Sequence, residues 1–123
     1  MAYSGFFEKY PDINFILSHV GGTIPFIWPR IDITYRKRTF GSKDLPYPPT
    51  YYLKKCYYDT ALTDTKSLML AYKRVGNNIL FGTDYAFGQE LVTHALAQVD
   101  GMAVPESLKS KILGGNALKL LQK

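Results

Sequence analysis

The stretch Ile13-Asn14-Phe15-Ile16-Leu17-Ser18-His19-Val20-Gly21-Gly22 decides the fold. Its apolar run is nearly continuous through Leu17, the pattern of a strand buried on both faces of a parallel sheet. By the two-residue period, Ile13, Phe15, Leu17 and His19 share one face. Gly21 and Gly22 follow at once and open space beside the imidazole. A second stretch, Asn77-Asn78-Ile79-Leu80-Phe81-Gly82-Thr83-Asp84, is apolar in its middle and ends in a carboxylate. A His and an Asp at the carboxyl ends of two buried strands stand where α/β barrels place their catalytic groups.

Helical patterns surround these strands. Residues 2–10 read as the last turns of a helix, broken by Pro11-Asp12. Gly21-Gly22-Thr23 is a turn, and residues 25–38 read as a helix that Pro29 kinks or restarts. Residues 40–50, with Gly41, Pro46, Pro48 and Pro49, read as a loop, and residues 51–55 as a short helix. Cys56-Tyr57-Tyr58-Asp59-Thr60-Ala61 is a further strand. Thr63-Asp64 can cap a helix over 65–75, whose face carries Leu68, Tyr72 and Val75 at helical spacing. Gly76 stops it. Residues 89–99 and 106–113 continue as helices, the latter started by Pro105. Gly114-Gly115 interrupts, and Asn116 can cap a last turn through Leu121.

Helices alternating with strands imply parallel strands joined by right-handed crossovers, an α/β fold. No repeat or low-complexity segment divides the chain, so residues 1–123 form a single domain. A helix at the very start that leads straight into a buried strand is expected to be the end of a unit whose beginning is absent.

The chain has 123 residues, 46% hydrophobic and 20% charged, which excludes a disordered polymer. No apolar run approaches the roughly 20 residues of a membrane span. No basic-then-apolar leader is present, and the single Cys56 forms no internal disulfide. Together these point to a cytoplasmic protein with no membrane partner. A net charge of +5 with ten Tyr and seven Phe raises single-stranded nucleic acid as a partner. Arg36-Lys37-Arg38 is the tight basic cluster, and Lys54-Lys55, Lys109 and Lys111 lie far off in sequence. A solvated helix face explains such groups, so no nucleic acid is expected, while anionic small molecules are allowed.

His19 is the leading candidate for chemistry, since imidazole can bind a metal or pass protons near neutral pH. Its structural alternative is a buried His donating to a carbonyl. Asp84 suits a hard or borderline cation and can accept a proton; its alternative is an N-cap or Asx-turn residue. Gly82 argues for close approach of another group to that strand. Asp59, at the end of the middle strand, can orient a ligand or a neighbouring His, and a structural role fits it equally. Arg30 can fork onto a carboxylate or lie along the surface. His94 reads as a helix-surface residue and Cys56 as an inert buried thiol. The glycine pairs match no dinucleotide or phosphate-loop fingerprint.

These segments resemble the amidohydrolase-related superfamily. The motifs that carry the resemblance are Tyr10-Pro11-Asp12 before Phe15-Ile16-Leu17-Ser18-His19-Val20-Gly21-Gly22, then Tyr58-Asp59-Thr60-Ala61, Phe81-Gly82-Thr83-Asp84-Tyr85 and Gly115-Asn116-Ala117. Their order is similar to that of the branch containing aminocarboxymuconate-semialdehyde and aromatic-acid decarboxylases. The resemblance implies a metal-dependent (β/α)8 TIM barrel, with zinc or sometimes manganese. It implies that Asp84 is a metal ligand, that His19 is the catalytic acid/base, and that Arg30 binds the substrate carboxylate across a dimer interface, in a homo-oligomer. The family's His-x-His strand and its further His ligand have no counterpart here. The expectation is therefore a partial barrel, its last three strands with their helices, and an incomplete metal site.

The implied reaction is metal-dependent decarboxylation of an aromatic or unsaturated carboxylic acid, a small-molecule substrate. Hydrolysis of a lactone or amide by the same residues is the alternative chemistry. An inactive fragment that acts only through association is the alternative class. Phe26, Trp28, Tyr85 and Phe87 are candidates to line a pocket for a planar acid.

Overall fold

Three short parallel strands form one sheet in the order β1 (Ile16–Leu17), β2 (Tyr57–Asp59), β3 (Ile79–Leu80). The structure is a computed structural model and describes residues 1–38 and 42–122. Ile16 and Leu17 lie opposite Tyr57 and Tyr58, and Tyr58 and Asp59 opposite Ile79 and Leu80. Leu17, Tyr58 and Ile79 therefore share one face. Tyr58 and Ile79 join Leu68, Val75, Val99, Met102 and Ile112 in the core, and Leu17 packs against it. Asp59 stands on the other face, with Ile16, Tyr57 and Leu80.

The strands are shorter than their apolar runs. The β1 ladder stops at Leu17, because the backbone turns left-handed at His19. The expected burial on both faces also fails at this margin, where Ile13 and Ile16 are about half exposed. No strand pairs with the outer side of β1 among the described residues.

The helices are α1 (Phe6–Lys9), α2 (Trp28–Arg36), α3 (Pro49–Leu53), α4 (Thr65–Val75), α5 (Glu90–Asp100), α6 (Glu106–Ser110) and α7 (Asn116–Leu121). Of the two outcomes expected at Pro29, the helix starts there and is not kinked, so residues 25–27 of the expected 25–38 lie outside α2. Pro29 falls in the first turn of α2, where a missing N–H costs nothing. Helix α1 covers only part of the expected 2–10, since Gly5 before it is left-handed. Phe40 and Gly41, at the start of the expected loop, lie outside the described residues. Pro49 and Thr50, read as the end of that loop, instead open α3. Helix α4 has the expected bounds, and Asp64 caps it by accepting the Ser67 N–H at 2.7 Å.

Asn116 is the clearest departure in this half of the chain. It does not cap α7. Its amide donates to the carbonyls of Asn77 and Ile79, each at 2.7 Å, and so ties α7 to the start of β3. A wide turn over Lys111–Gly115 carries the chain from α6 into α7 and lets this amide reach the strand.

Candidate active site

The segment after β1 turns back on itself. His19, Val20, Gly21 and Gly22 have φ of 54°, 56°, 72° and 61°. Left-handed backbone is uncommon outside glycine and is an outlier for a β-branched residue such as Val20. Such conformations cost about 1–3 kcal/mol each and persist only where surroundings hold them. Gly21 and Gly22 donate to the Ser18 and His19 carbonyls at 2.9 and 2.8 Å. The Val20 side chain is buried. Asp59 Oδ1 accepts the His19 N–H at 2.7 Å. A Cβ on Gly21 would lie 2.6 Å from the Tyr58 ring, so no larger residue fits there.

This turn corrects the expected placement of His19 on the strand face of Ile13, Phe15 and Leu17. The imidazole is instead carried to Asp84, with Nε2 3.7 Å from Oδ2. Both side chains are partly open, at 49% and 29% exposure, so small molecules and solvent protons can reach them. Asp84 is itself left-handed, at φ 57°. It heads the Tyr85–Phe87 turn, but its carboxylate makes no capping bond, which removes the N-cap reading.

Beneath the pair lies a braced strand end. The Thr60 hydroxyl donates to the Gly82 carbonyl at 2.8 Å and accepts the Gly82 N–H at 3.1 Å. A Cβ on Gly82 would stand 2.9 Å from the Asp59 Cβ, which is the close approach expected of that glycine. Asp59 Oδ1 also accepts the Ala61 N–H at 3.1 Å. Thr60 was missed in the sequence. Its hydroxyl needs a partner because Thr60 is fully buried, a fact visible only in the fold.

A cleft of about 310 Å³ opens beside His19, walled by Val20, Pro25, Phe26, Leu62, Ser67 and Leu70. Phe26 faces it. Tyr85 and Phe87, just past Asp84, stand largely in solvent. Trp28 packs instead against the core. Arg30 is exposed on α2 and is not part of the cleft wall. The structure thus brings the His19 and Asp84 side chains together, sets the Asp59 carboxylate on the His19 backbone N–H, and leaves Arg30 apart.

The other candidates have structural partners. His94 is exposed, but its Nε2 bonds the Thr63 carbonyl at 2.8 Å, tying α5 to the loop before α4. Burial pushes the Cys56 thiol up to about 11, as an inert thiol requires. Arg38 of the basic cluster pairs with Asp44.

The fit to a divalent cation is partial. Asp84 offers open carboxylate oxygens beside an imidazole. Among the described residues, however, no group of three or more His, Cys, Asp or Glu converges. A catalytic zinc takes about three protein ligands. His19 and Asp84 offer two potential donors, fewer than that number.

Comparison with known proteins gives a consistent picture. The signature of the family described as Amidohydrolase matches residues 1–123. A 2-amino-3-carboxymuconate-6-semialdehyde decarboxylase from Dictyostelium discoideum is 31% identical over 128 residues, covering 98% of this chain and 34% of its own. A solved 5-carboxyvanillate decarboxylase from Sphingomonas paucimobilis superposes with a TM-score of 0.88 at 26% identity, over 99% of this chain and 37% of that one. A dihydroxybenzoic acid decarboxylase from Polaromonas sp. JS666, solved with manganese and 2-nitroresorcinol, superposes with a TM-score of 0.80 at 30% identity, over 98% and 37%. The chain spans about a third of the length of the curated relatives it matches.

Proposed function

The chain belongs to the amidohydrolase family, and on that premise we propose that residues 1–123 are one domain, the last three strands of a (β/α)8 barrel in a metal-dependent aromatic-acid decarboxylase. The observation that carries this reading is the His19–Asp84 pair, 3.7 Å apart at the carboxyl ends of parallel strands, with His19 on the wall of a cleft. Similarity to decarboxylases of aminocarboxymuconate semialdehyde and of hydroxylated benzoates supports the substrate class.

In this reading Asp84 holds a divalent metal, manganese or zinc, together with ligands from the remaining strands. When bound, that ion supplies positive charge that fixes and polarises the acid. His19 delivers a proton to the carbon that bears the carboxylate. The carbon–carboxylate bond then breaks, its electron pair returns to the ring, and carbon dioxide leaves. One proton is consumed, and His19 regains it from solvent through its open side. Phe26 offers an apolar wall for a planar ring. Arg30, exposed on α2, is free to meet the carboxylate of a substrate held by a second copy in a homo-oligomer.

A chimera tests this. The 123 residues replace the matching segment of the Polaromonas decarboxylase, which supplies the other strands. Metal-dependent release of carbon dioxide from a hydroxybenzoate is expected. His19→Ala should abolish turnover while metal content holds, and Asp84→Ala should lose metal. Full turnover in His19→Ala, or a folded, metal-loaded chimera without decarboxylation, would overturn the reading.

A further inference from the structure

We propose that Asp59 is the positioning residue of this site, its carboxylate setting where His19 stands relative to Asp84. The inference rests on the reading of His19 and Asp84 as the reacting pair and goes beyond it.

Three observations converge on Asp59. First, its Oδ1 accepts two backbone N–H groups, that of Ala61 at 3.1 Å and that of His19 at 2.7 Å. The Ala61 bond is the ordinary local habit of an Asp, which readily bonds backbone two residues on. The His19 bond is not local, since it joins residues 40 apart in sequence. Second, it falls on the first residue of a left-handed run that includes a β-branched valine. Such a path is unstable by itself and needs an external hold. An ionised acceptor gives a shorter and stronger bond than a neutral one, so a carboxylate suits that hold. Third, the other side of Asp59 meets the strand end that carries Asp84. A Cβ on Gly82 would lie 2.9 Å from the Asp59 Cβ and 3.2 Å from its Cγ.

One side chain is thus bonded to the His19 segment and packed against the Asp84 segment, two residues before that carboxylate. Thr60, its neighbour, grips Gly82 through both N–H and carbonyl, so the packed surface cannot slide. Asp59 Oδ1 is committed to two backbone donors, which suits the residue to holding the His19 segment. Its part is to hold His19 in the one conformation that points the imidazole at Asp84.

The test uses the isotope-labelled chain and needs no turnover. In the unaltered protein, a through-hydrogen-bond scalar coupling is expected between the His19 amide nitrogen and the Asp59 carboxyl carbon. Its absence overturns the proposal. In Asp59→Ala, the His19 amide should exchange with solvent at least tenfold faster and the imidazole should gain motion. Core amides such as Leu68 and Val99 should keep their protection. Asp59→Asn keeps an oxygen acceptor of the same reach and should restore slow exchange at His19. Uniform loss of protection across the core in Asp59→Ala, or no change at His19, would sink the positioning role. If Asp59→Ala does not fold, the coupling in the unaltered protein decides. A chimera without decarboxylase activity would leave these results standing, and loss of the coupling would leave the decarboxylase reading standing.

Discussion

Gly21→Ala isolates what the left-handed turn demands of its neighbours. The alanine methyl would sit 2.6 Å from Tyr58 Cε1 and 2.9 Å from Cδ1. Carbon atoms prefer roughly 3.5–4.0 Å, so the overlap is about 1 Å. The ring cannot yield cheaply, because Tyr58 is fully buried and its hydroxyl donates to the Leu53 carbonyl at 2.9 Å. Overpacking of this kind costs about 1–3 kcal/mol. The positive φ of 72° adds a second cost, about 1–2 kcal/mol for a residue with a Cβ. Gly21→Ala should therefore lose about 2–5 kcal/mol, read by urea unfolding followed by circular dichroism. A Tyr58→Leu background separates the two costs. Without the ring, Gly21→Ala should lose only the backbone part, a coupling of about 1–3 kcal/mol between the two sites. Coupling below about 0.5 kcal/mol would refute the reasoning, since independent sites add within that margin.

Other outcomes follow from the same contacts. Asn116→Ala removes the bonds to Asn77 and Ile79 and leaves the Ile79 carbonyl without that donor; a loss of about 1–3 kcal/mol is expected by calorimetry. The Ser67 N–H holds the Asp64 carboxyl below the usual carboxylate range. Its capping contribution is therefore complete above that range and lost as pH falls through the depressed value. Asp64→Asn should flatten the acid limb of stability against pH. With burial pushing the Cys56 thiol up to about 11, its alkylation at pH 8 should be slow. It should run at least about a hundredfold slower than a free thiol of pKa near 8.5, and faster modification would mean the core opens readily.

What was legible in the sequence was local. Helix α4 came out at its true bounds because its apolar spacing and its Asp64 cap lie within a dozen residues. The alternation of helices and parallel strands was legible for the same reason, as was the close approach at Gly82. The turn at His19 was not. Its conformation depends on the Asp59 carboxylate and the Tyr58 ring, both far along the chain, and the two-residue period wrongly continued the strand through it. Asn116 failed in the same manner. A helix-start Asn looks like a cap when its true acceptors are 37 and 39 residues back. Asp59 carried two equal readings in the sequence. The bond to His19, which no local pattern encodes, is what the proposed positioning role rests on.

The tie from Asn116 to Ile79 also has a consequence during synthesis. The two residues are 37 apart, and ribosomes add about 5–20 residues per second. Roughly 2–7 s therefore pass between the appearance of β3 and the appearance of the side chain that anchors it. Through that interval Tyr58, Leu68 and the first strand pair can already collapse, while β3 has no anchor at its start. The nascent chain is most open to mispairing in those seconds. Mutations that weaken the Asn116 contact should thus lower the yield of soluble protein in cells more than they lower the unfolding midpoint of the finished molecule.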